Sequence, residues 1–415
     1  MTGTKPQHAP QIHFPVVDDV LQVGGIALTR LALRVGRTPF YAIDRAVCSA
    51  QVRKLRAVLP PAVALHYSIK ANPMPALVQH MTGQVDGLDV ASGTELKTAL
   101  DTGIDPARIS FAGPAKTEDE LRQAIAAGVC LNIESVNELA NTARIGDLLG
   151  ITPQVALRIN PEFELKSSGM RMGGGAKPFG IDAEQAPQVL KQVAALGLDF
   201  QGFHIFSGSQ SLRLESIIES QSQSIELALR LAGDSPLAVH QINIGGGLGI
   251  PYFPGEVRID PAPLGLHLES WLPRLAQALP QARLALEMGR YLVGEAGVYV
   301  ARVLDRKVSR GQVFLVLDGG MHHHLAASGN LGQVIRKNYP VAIGNRMNAD
   351  GSAPDSGPAS ATGPLCTPLD ILAERMDLAH ARIGDLLVVF QSGAYGASAS
   401  PAMFLGHPAA LEVLV

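Results

Sequence analysis

Cysteine is scarce in this chain: Cys48, Cys130 and Cys366 are the only three in 415 residues, far apart and odd in number. That excludes a disulfide framework, offers no zinc-ligand spacing, and fits a reducing, cytoplasmic setting. An excess of positive charge is missing too. The formal net charge is −3 and aromatics make up only 5%, so neither a basic patch nor an aromatic-basic surface points to nucleic acid. No run of about 18 apolar residues occurs, so no membrane span is expected. Residues 1–15 are polar and contain proline, with no charged stretch ahead of an apolar one, so no secretory signal is read there. Core material is what the chain has in quantity: 47% hydrophobic against 17% charged residues. Its length suits a barrel plus a second domain.

Strand-like and helix-like windows alternate from about residue 45 to 290. The strand windows are 63–70, 87–92, 109–114, 129–135, 154–160, 202–209, 241–247 and 284–290. Helical patterns at 94–102, 117–127, 136–149, 183–196, 212–232 and 266–279 lie between them. This α/β alternation has the strand count of a (β/α)8 TIM barrel over 45–290; an open doubly wound sheet is the alternative. The strands read as apolar runs, as expected when both faces are buried. After 290 the short strand windows 297–304, 312–317, 341–343 and 385–390 have no regular helices between them. They imply a mostly-β domain over 291–415, which residues 1–44, strand-like at 38–43, can join. The segment 345–363, rich in Gly, Ser, Ala, Pro and Asp, reads as an exposed, mobile loop.

The unusual polar residues fall at the C-terminal ends of the strand windows, where barrel enzymes keep their catalytic groups. Lys70 closes the first, in His66-Tyr67-Ser68-Ile69-Lys70-Ala71-Asn72-Pro73. A lysine at a strand mouth is costly unless paired or used, and a desolvated lysine is the usual way to hold an amine ready for a Schiff base. A surface lysine that happens to follow a strand is the plainer reading. Asp89 lies in the second window with Glu95 beyond it, Arg158 in the fifth, His204 and Ser207-Gly208-Ser209-Gln210 in the sixth. Gly245-Gly246-Gly247 end the seventh, and Glu287 and Arg290 close the eighth. One such residue is weak evidence; several on one rim are not.

Three consecutive glycines let backbone N–H groups approach an anion, and phosphate sites in such barrels favour the loops after strands seven and eight. A tight turn needing positive φ explains one glycine better than three. A Schiff-base lysine, a phosphate cradle and a carboxylate on one rim together suggest pyridoxal phosphate, with Glu287 paired to the pyridine nitrogen.

These residues resemble the fold-type III pyridoxal-phosphate decarboxylases, which include diaminopimelate, ornithine and arginine decarboxylases. The resemblance runs from Thr38-Pro39-Phe40-Tyr41 to Gly393-Ala394-Tyr395-Gly396. It is carried by Tyr67-Ser68-Ile69-Lys70-Ala71-Asn72, Asp89-Val90-Ala91-Ser92-Gly93-Thr94-Glu95, the triple glycine, Glu287-Met288-Gly289-Arg290 and Gly363-Pro364-Leu365-Cys366-Thr367-Pro368-Leu369-Asp370. It implies the alanine racemase/ornithine decarboxylase-like arrangement of a barrel and a β domain. Lys70 then matches the lysine bound to the coenzyme and Glu287 its pyridine-nitrogen partner. Ser209, Gly246, Gly247 and Arg290 match the phosphate cradle, with Tyr395 reaching the same phosphate. Asp89 and Arg158 match residues supporting the lysine and coenzyme. Cys366 matches the thiol that re-protonates the substrate carbon, supplied in this family by the other subunit of a homodimer. Asp370 matches a second acidic residue of that segment, expected at the substrate.

The chain departs from diaminopimelate decarboxylases in two places. They carry a second histidine two residues after the one matching His204, stacked on the coenzyme; here Phe206 stands there. Their substrate-carboxylate motif, an Arg-Pro-Ala-Leu-Tyr type run, is replaced by 330–339, which contains Arg336 as the candidate substrate contact. The glycine-rich run Ser168-Gly169-Met170-Arg171-Met172-Gly173-Gly174-Gly175-Ala176-Lys177-Pro178-Phe179-Gly180 is similar to a branch that includes exosortase-associated decarboxylases and the enzyme acting on glutamyl groups of an acyl carrier protein. The expected substrate is therefore a small amino acid or a carrier-bound aminoacyl group. Diaminopimelate decarboxylation, an amino-acid racemase on the same fold and a non-enzymatic coenzyme carrier are the alternatives. The adjacent His322-His323-His324 read as structural or substrate-facing rather than as metal ligands, because neighbours on an extended segment do not converge on one ion.

Overall fold

A computed structural model describes residues 6–164, 170–348 and 356–415. The chain divides into two compact units. One comprises Gln51–Gly249 and Ile259–Tyr291; the other takes the chain up to Ala50, Ile250–Arg258 and Leu292–Val415.

Among the described residues the first unit contains eight parallel strands that close on themselves. They are Ala64–Ser68 (β1), Gly87–Val90 (β2), Ile109–Phe111 (β3), Cys130–Ile133 (β4), Gln154–Asn160 (β5), Asp199–His204 (β6), Gln241–Asn243 (β7) and Arg283–Met288 (β8). Each pairs with the next, β8 pairs with β1, and β4 pairs with β5, so no edge remains and the open-sheet alternative is excluded. Closure buries both faces, which is why the strands read as continuous apolar runs. The helices between them are Pro75–Thr82 (α1), Gly93–Leu100 (α2), Glu118–Ala127 (α3), Val136–Leu149 (α4), Ala186–Ala195 (α5), Leu214–Gly233 (α6) and Ala262–Ala278 (α7).

Three helix starts are written in the sequence as a hydroxyl residue followed three positions later by glutamate. The Ser92, Thr117 and Ser135 hydroxyls accept the backbone N–H of Glu95 (3.2 Å), Glu120 (3.3 Å) and Glu138 (3.1 Å). Each cap contributes about 1 kcal/mol and fixes where the strand-to-helix loop ends. Those loops form the C-terminal rim.

In the second unit, Gly297–Ser309 is the central strand. Its first half pairs with Phe40–Ile43 and Leu386–Val389, its second half with Gln312–Leu317. A register shift between Val303 and Asp305 lets one strand serve both partners. Val341–Ile343 pairs with Leu386–Val389, and Leu411–Leu414 with Phe40–Ile43. The segment 250–258 belongs here as well, with Tyr252 against Tyr339 at 4.6 Å between ring centroids.

One expectation needs correction. The supposed mobile loop 345–363 ends in a strand, Pro358–Thr362, between Gln312–Leu317 and Ile371–Asp377. Ala359, Ser360 and Ala361 are buried. Small side chains carry little strand signal alone, yet they suit a position flanked on both sides. Residues 349–355 of that segment, like 168–169 of the glycine-rich run, lie outside the described residues.

Gly265 lies inside α7, where a Cβ would overlap the main-chain carbonyl of Val58. Gly265→Ala gains about 1 kcal/mol of helix propensity, but overlap with backbone costs about 1–3 kcal/mol. The substitution should lower the melting temperature by a few degrees; an unchanged or raised value would show that the helix yields freely.

Candidate active site

Every barrel strand supplies at least one buried polar side chain: His66, Asp89, Ser110, Asn132, Arg158, His204, Asn243 and Glu287 lie on β1 to β8 in turn, and Ser68 and Asn160 add a second on β1 and β5. Buried polar groups persist only when partnered, and here the partners come mostly from neighbouring strands.

Glu287 is the deepest charge of this belt. The Asn243 side-chain amide donates to its Oε1 at 2.8 Å, and the Asn243 oxygen accepts the N–H of Gly245 at 2.9 Å. His204 Nε2 lies 2.9 Å from the same carboxylate oxygen, out of line for a hydrogen bond. Burial alone would push the Glu287 pKa up; His204, then the charges of Lys70 and Arg158, overcome it and hold the carboxyl well below the usual range.

Asp89 occupies the next part of the belt. Ser110 Oγ donates to its Oδ1 at 2.5 Å and His66 Nδ1 lies 3.2 Å from the same oxygen; Oδ2 is buried without a partner. Burial and then the Glu287 charge push the Asp89 pKa up, against His66 and Ser110.

Strand β1 ends at Ser68, and Lys70 sits on the single 3-10 turn Ile69–Ala71. Its Nζ lies 5.2 Å from the centre of the Phe206 ring. Burial raises the Glu95 pKa, and the N–H of Ala91 and the charge of Lys70 oppose that. Arg158 Nη1 donates to Glu134 Oε1 at 2.8 Å, and its guanidinium covers the Phe179 ring at 5.2 Å. Glu134 also accepts the N–H of Gly113 (2.6 Å) and of Gly180 (3.2 Å), tying three rim loops together.

Gly208–Ser209 pairs with the backbone of Met170–Arg171, so the glycine-rich segment is anchored on the stretch bearing Ser209. All three glycines of the β7 loop have steric reasons. Gly245 and Gly247 have φ of +67° and +104°, and a Cβ on Gly246 would overlap the carbonyl of Glu287. The loop thus needs its glycines to pass close to β8.

The remaining expected site residues lie in the β-rich unit. Cys366 is exposed there. Asp370 is buried, and its two oxygens accept the N–H groups of Met321 (2.6 Å) and Leu365 (2.8 Å), so the carboxylate ties its own loops together. Arg336 donates from Nη1 to the carbonyls of Ser328 (2.6 Å) and Ile371 (2.8 Å). Tyr395 is half-buried with φ of +54°, uncommon for a tyrosine. His323 donates to the Pro408 carbonyl at 2.9 Å, and His324 Nε2 lies 2.9 Å from Ser392 Oγ.

The profile of the pyridoxal-dependent decarboxylases, pyridoxal binding domain, matches residues 45–294. The chain belongs to the pyridoxal-dependent decarboxylase family. It is 37% identical over 380 residues to the L-glutamyl-[BtrI acyl-carrier protein] decarboxylase of Niallia circulans, covering 91% of this chain and 88% of that one. It is 33% identical over 393 residues to the diaminopimelate decarboxylase of Pseudomonas aeruginosa, covering 92% and 89%. In fold it superimposes on diaminopimelate decarboxylase from M. jannaschii in co-complex with L-lysine with a TM-score of 0.87 at 24% identity, covering 98% of this chain and 93% of that one.

The rim of this decarboxylase suits the coenzyme that names the family. It offers an ionised carboxylate for a protonated ring nitrogen, a lysine amine beside an aromatic face, and buried unpartnered atoms at Asp89 Oδ2 and His204 Nδ1. Sequence reading missed His66, Ser110, Asn132, Glu134 and Asn243. The available signal was a polar residue within or just after a largely apolar strand run.

Burial alone would lower the His66 pKa; the charge of Asp89 and its hydrogen bond reverse this and hold it above 6.5, with smaller help from Glu287 and Asp86. The pair therefore stabilises the fold fully below about pH 6.5, and that contribution is lost as pH rises through the raised value. In Asp89→Asn the His66 imidazole should titrate at lower pH than in the wild type. Histidine NMR checks this, and an unmoved titration would mean the two groups are uncoupled.

Proposed function

We propose that this decarboxylase removes the α-carboxylate of an aminoacyl group carried on an acyl-carrier protein. The observation that carries the coenzyme part is the ionised, buried Glu287 on the rim that bears Lys70. The substrate part is supported by the likeness to the carrier-protein decarboxylase and by the loss of the diaminopimelate-type substrate run at 330–339.

Pyridoxal phosphate, when bound, would supply the electron sink for the pair left on the substrate carbon as CO2 departs. Lys70 would hold it through its amine. Glu287 would accept a hydrogen bond from the ring N–H and keep that proton in place, with Asn243 orienting the carboxylate. Phe206, beside the Lys70 amine, would cover a ring face by stacking without hydrogen bonding. Ser209, Gly246, Gly247, Arg290 and Tyr395 would hold the phosphate, while Asp89 and Arg158 would support the lysine side of the site. Cys366 delivers its thiol proton to the substrate carbon after CO2 leaves. Asp370 and Arg336 set the loops around that thiol. In this reading Cys366 serves the site of a second copy, so the working form is a homodimer, and its free thiol calls for a reducing compartment such as the cytoplasm.

Carbon dioxide release should be at least about 100-fold more efficient, in kcat/KM, with glutamyl groups on a carrier protein than with free diaminopimelate, ornithine or glutamate. Faster turnover of free diaminopimelate would replace this substrate with the one named for the Pseudomonas relative. Borohydride reduction with the coenzyme present should fix label on Lys70 and fix none in Lys70→Ala; label elsewhere would remove Lys70 from its role.

Neither Lys70→Ala nor Cys366→Ala should be active alone. Mixed under conditions that exchange subunits, they should recover up to about a quarter of wild-type activity, from random two-fold assortment. No recovery after verified exchange would confine Cys366 to its own subunit's site.

A further inference from the structure

Helix α6 carries a buried polar face at Ser220, Gln221 and Ser224. Ser224 satisfies itself within the helix, donating to the carbonyl of Ser220 at 2.9 Å. Gln221 does not. It is only 2% exposed, and both its Oε1 and its Nε2 lack a hydrogen-bond partner among the described residues. An amide buried and doubly unpaired is costly, and a purely structural role would have supplied partners from the chain.

The place it faces is specific. Gln221 lines a small cavity together with Ser207 and Gly208 of the loop after β6 and Ile244 and Gly246 of the loop after β7. These are the two loops assigned above to the phosphate. Helix α6 follows β6, so its N-terminal end lies at the rim of the barrel. Helical side chains lean toward the N-terminus, which carries the Gln221 amide back toward that rim.

We propose that Gln221 is an additional ligand of the coenzyme's phosphate, its Nε2–H donating to a phosphate oxygen directly or through one bound water. The proposal rests on the coenzyme reading given above. A neutral donor suits the position, because it adds a hydrogen bond to the anion without leaving a buried charge when the site is empty. The alternative occupant of the cavity is ordered water that serves only the fold.

The test compares two ligands with the same aldehyde, pyridoxal phosphate and pyridoxal, titrated into coenzyme-free protein and followed by the visible absorbance of the Lys70-bound form. Gln221→Glu sets a carboxylate against the phosphate. Gln221→Met keeps the shape, removes both polar atoms, and carries the test if the glutamate variant does not fold. We expect pyridoxal phosphate to bind about tenfold more weakly to the methionine variant and about 30-fold or more weakly to the glutamate variant. Pyridoxal affinity should stay within about threefold of wild type in both. Equal weakening of the two ligands, or no change in either, overturns the proposal and leaves Gln221 with structural water only. A wild type that binds neither ligand instead removes the coenzyme reading itself, so the two failures are distinguishable.

Discussion

A single carboxylate organises the mouth of this barrel. Glu287 sits near the end of the last strand, almost wholly buried, where an unpaired charge would cost several kcal/mol. It remains ionised because Asn243, His204, Lys70 and Arg158 surround it. The neighbours in turn are constrained by it. Asn243 can orient its amide toward Glu287 only because its oxygen is taken by Gly245, and Gly245 is the first residue of the turn that brings Gly246 against the Glu287 carbonyl. The glycine loop, the amide and the carboxylate therefore form one piece of architecture, and the sterics of the glycines owe nothing to a ligand.

The same carboxylate acts at a distance. Its charge raises the Asp89 pKa, and Asp89 is the group that overrides burial at His66. A belt of eight polar side chains thus replaces an apolar layer that a barrel of this size would ordinarily pack. That layer weakens the core locally and leaves Asp89 Oδ2 and His204 Nδ1 unpaired. Unpartnered buried polar atoms of this kind, concentrated on one rim, are what a binding site looks like before its ligand is considered. The β-rich unit follows a different logic: its acidic residue Asp370 is spent on two backbone N–H groups beside the exposed Cys366, so local rigidity there comes from loop ties.

The barrel was legible because its signals are local. Eight apolar runs alternate with helical patterns, and each observed barrel strand overlaps a predicted window; the sixth, Asp199–His204, begins three residues before its window, and several end early where the rim loops begin. The first window runs two residues too far, so that Lys70 reads as the strand's end rather than as part of the 3-10 turn that follows it. The β-rich unit was harder to read, since Pro358–Thr362 becomes a strand only through its two neighbours and 250–258 joins that unit through a contact distant in sequence. The charged residues of the rim were visible as types, but their partners were not. Asn243 and Glu134 look ordinary until strands brought together by closure place Glu287 and Arg158 beside them. Asp370 shows the converse: its motif matches a residue expected at the substrate, and the structure adds burial and two backbone N–H partners that the sequence does not display.

The most direct measurement of the central claim is the protonation state of Glu287. In protein labelled with 13C at glutamate side-chain carboxyls, the Glu287 resonance, assigned by its absence in Glu287→Gln, should stay in the ionised position as pH falls past 4.5, for as long as the fold persists. Titration at or above 4.5, the ordinary glutamate value, would contradict the account, since burial would then outweigh the surrounding partners and the rim would lack its organising charge.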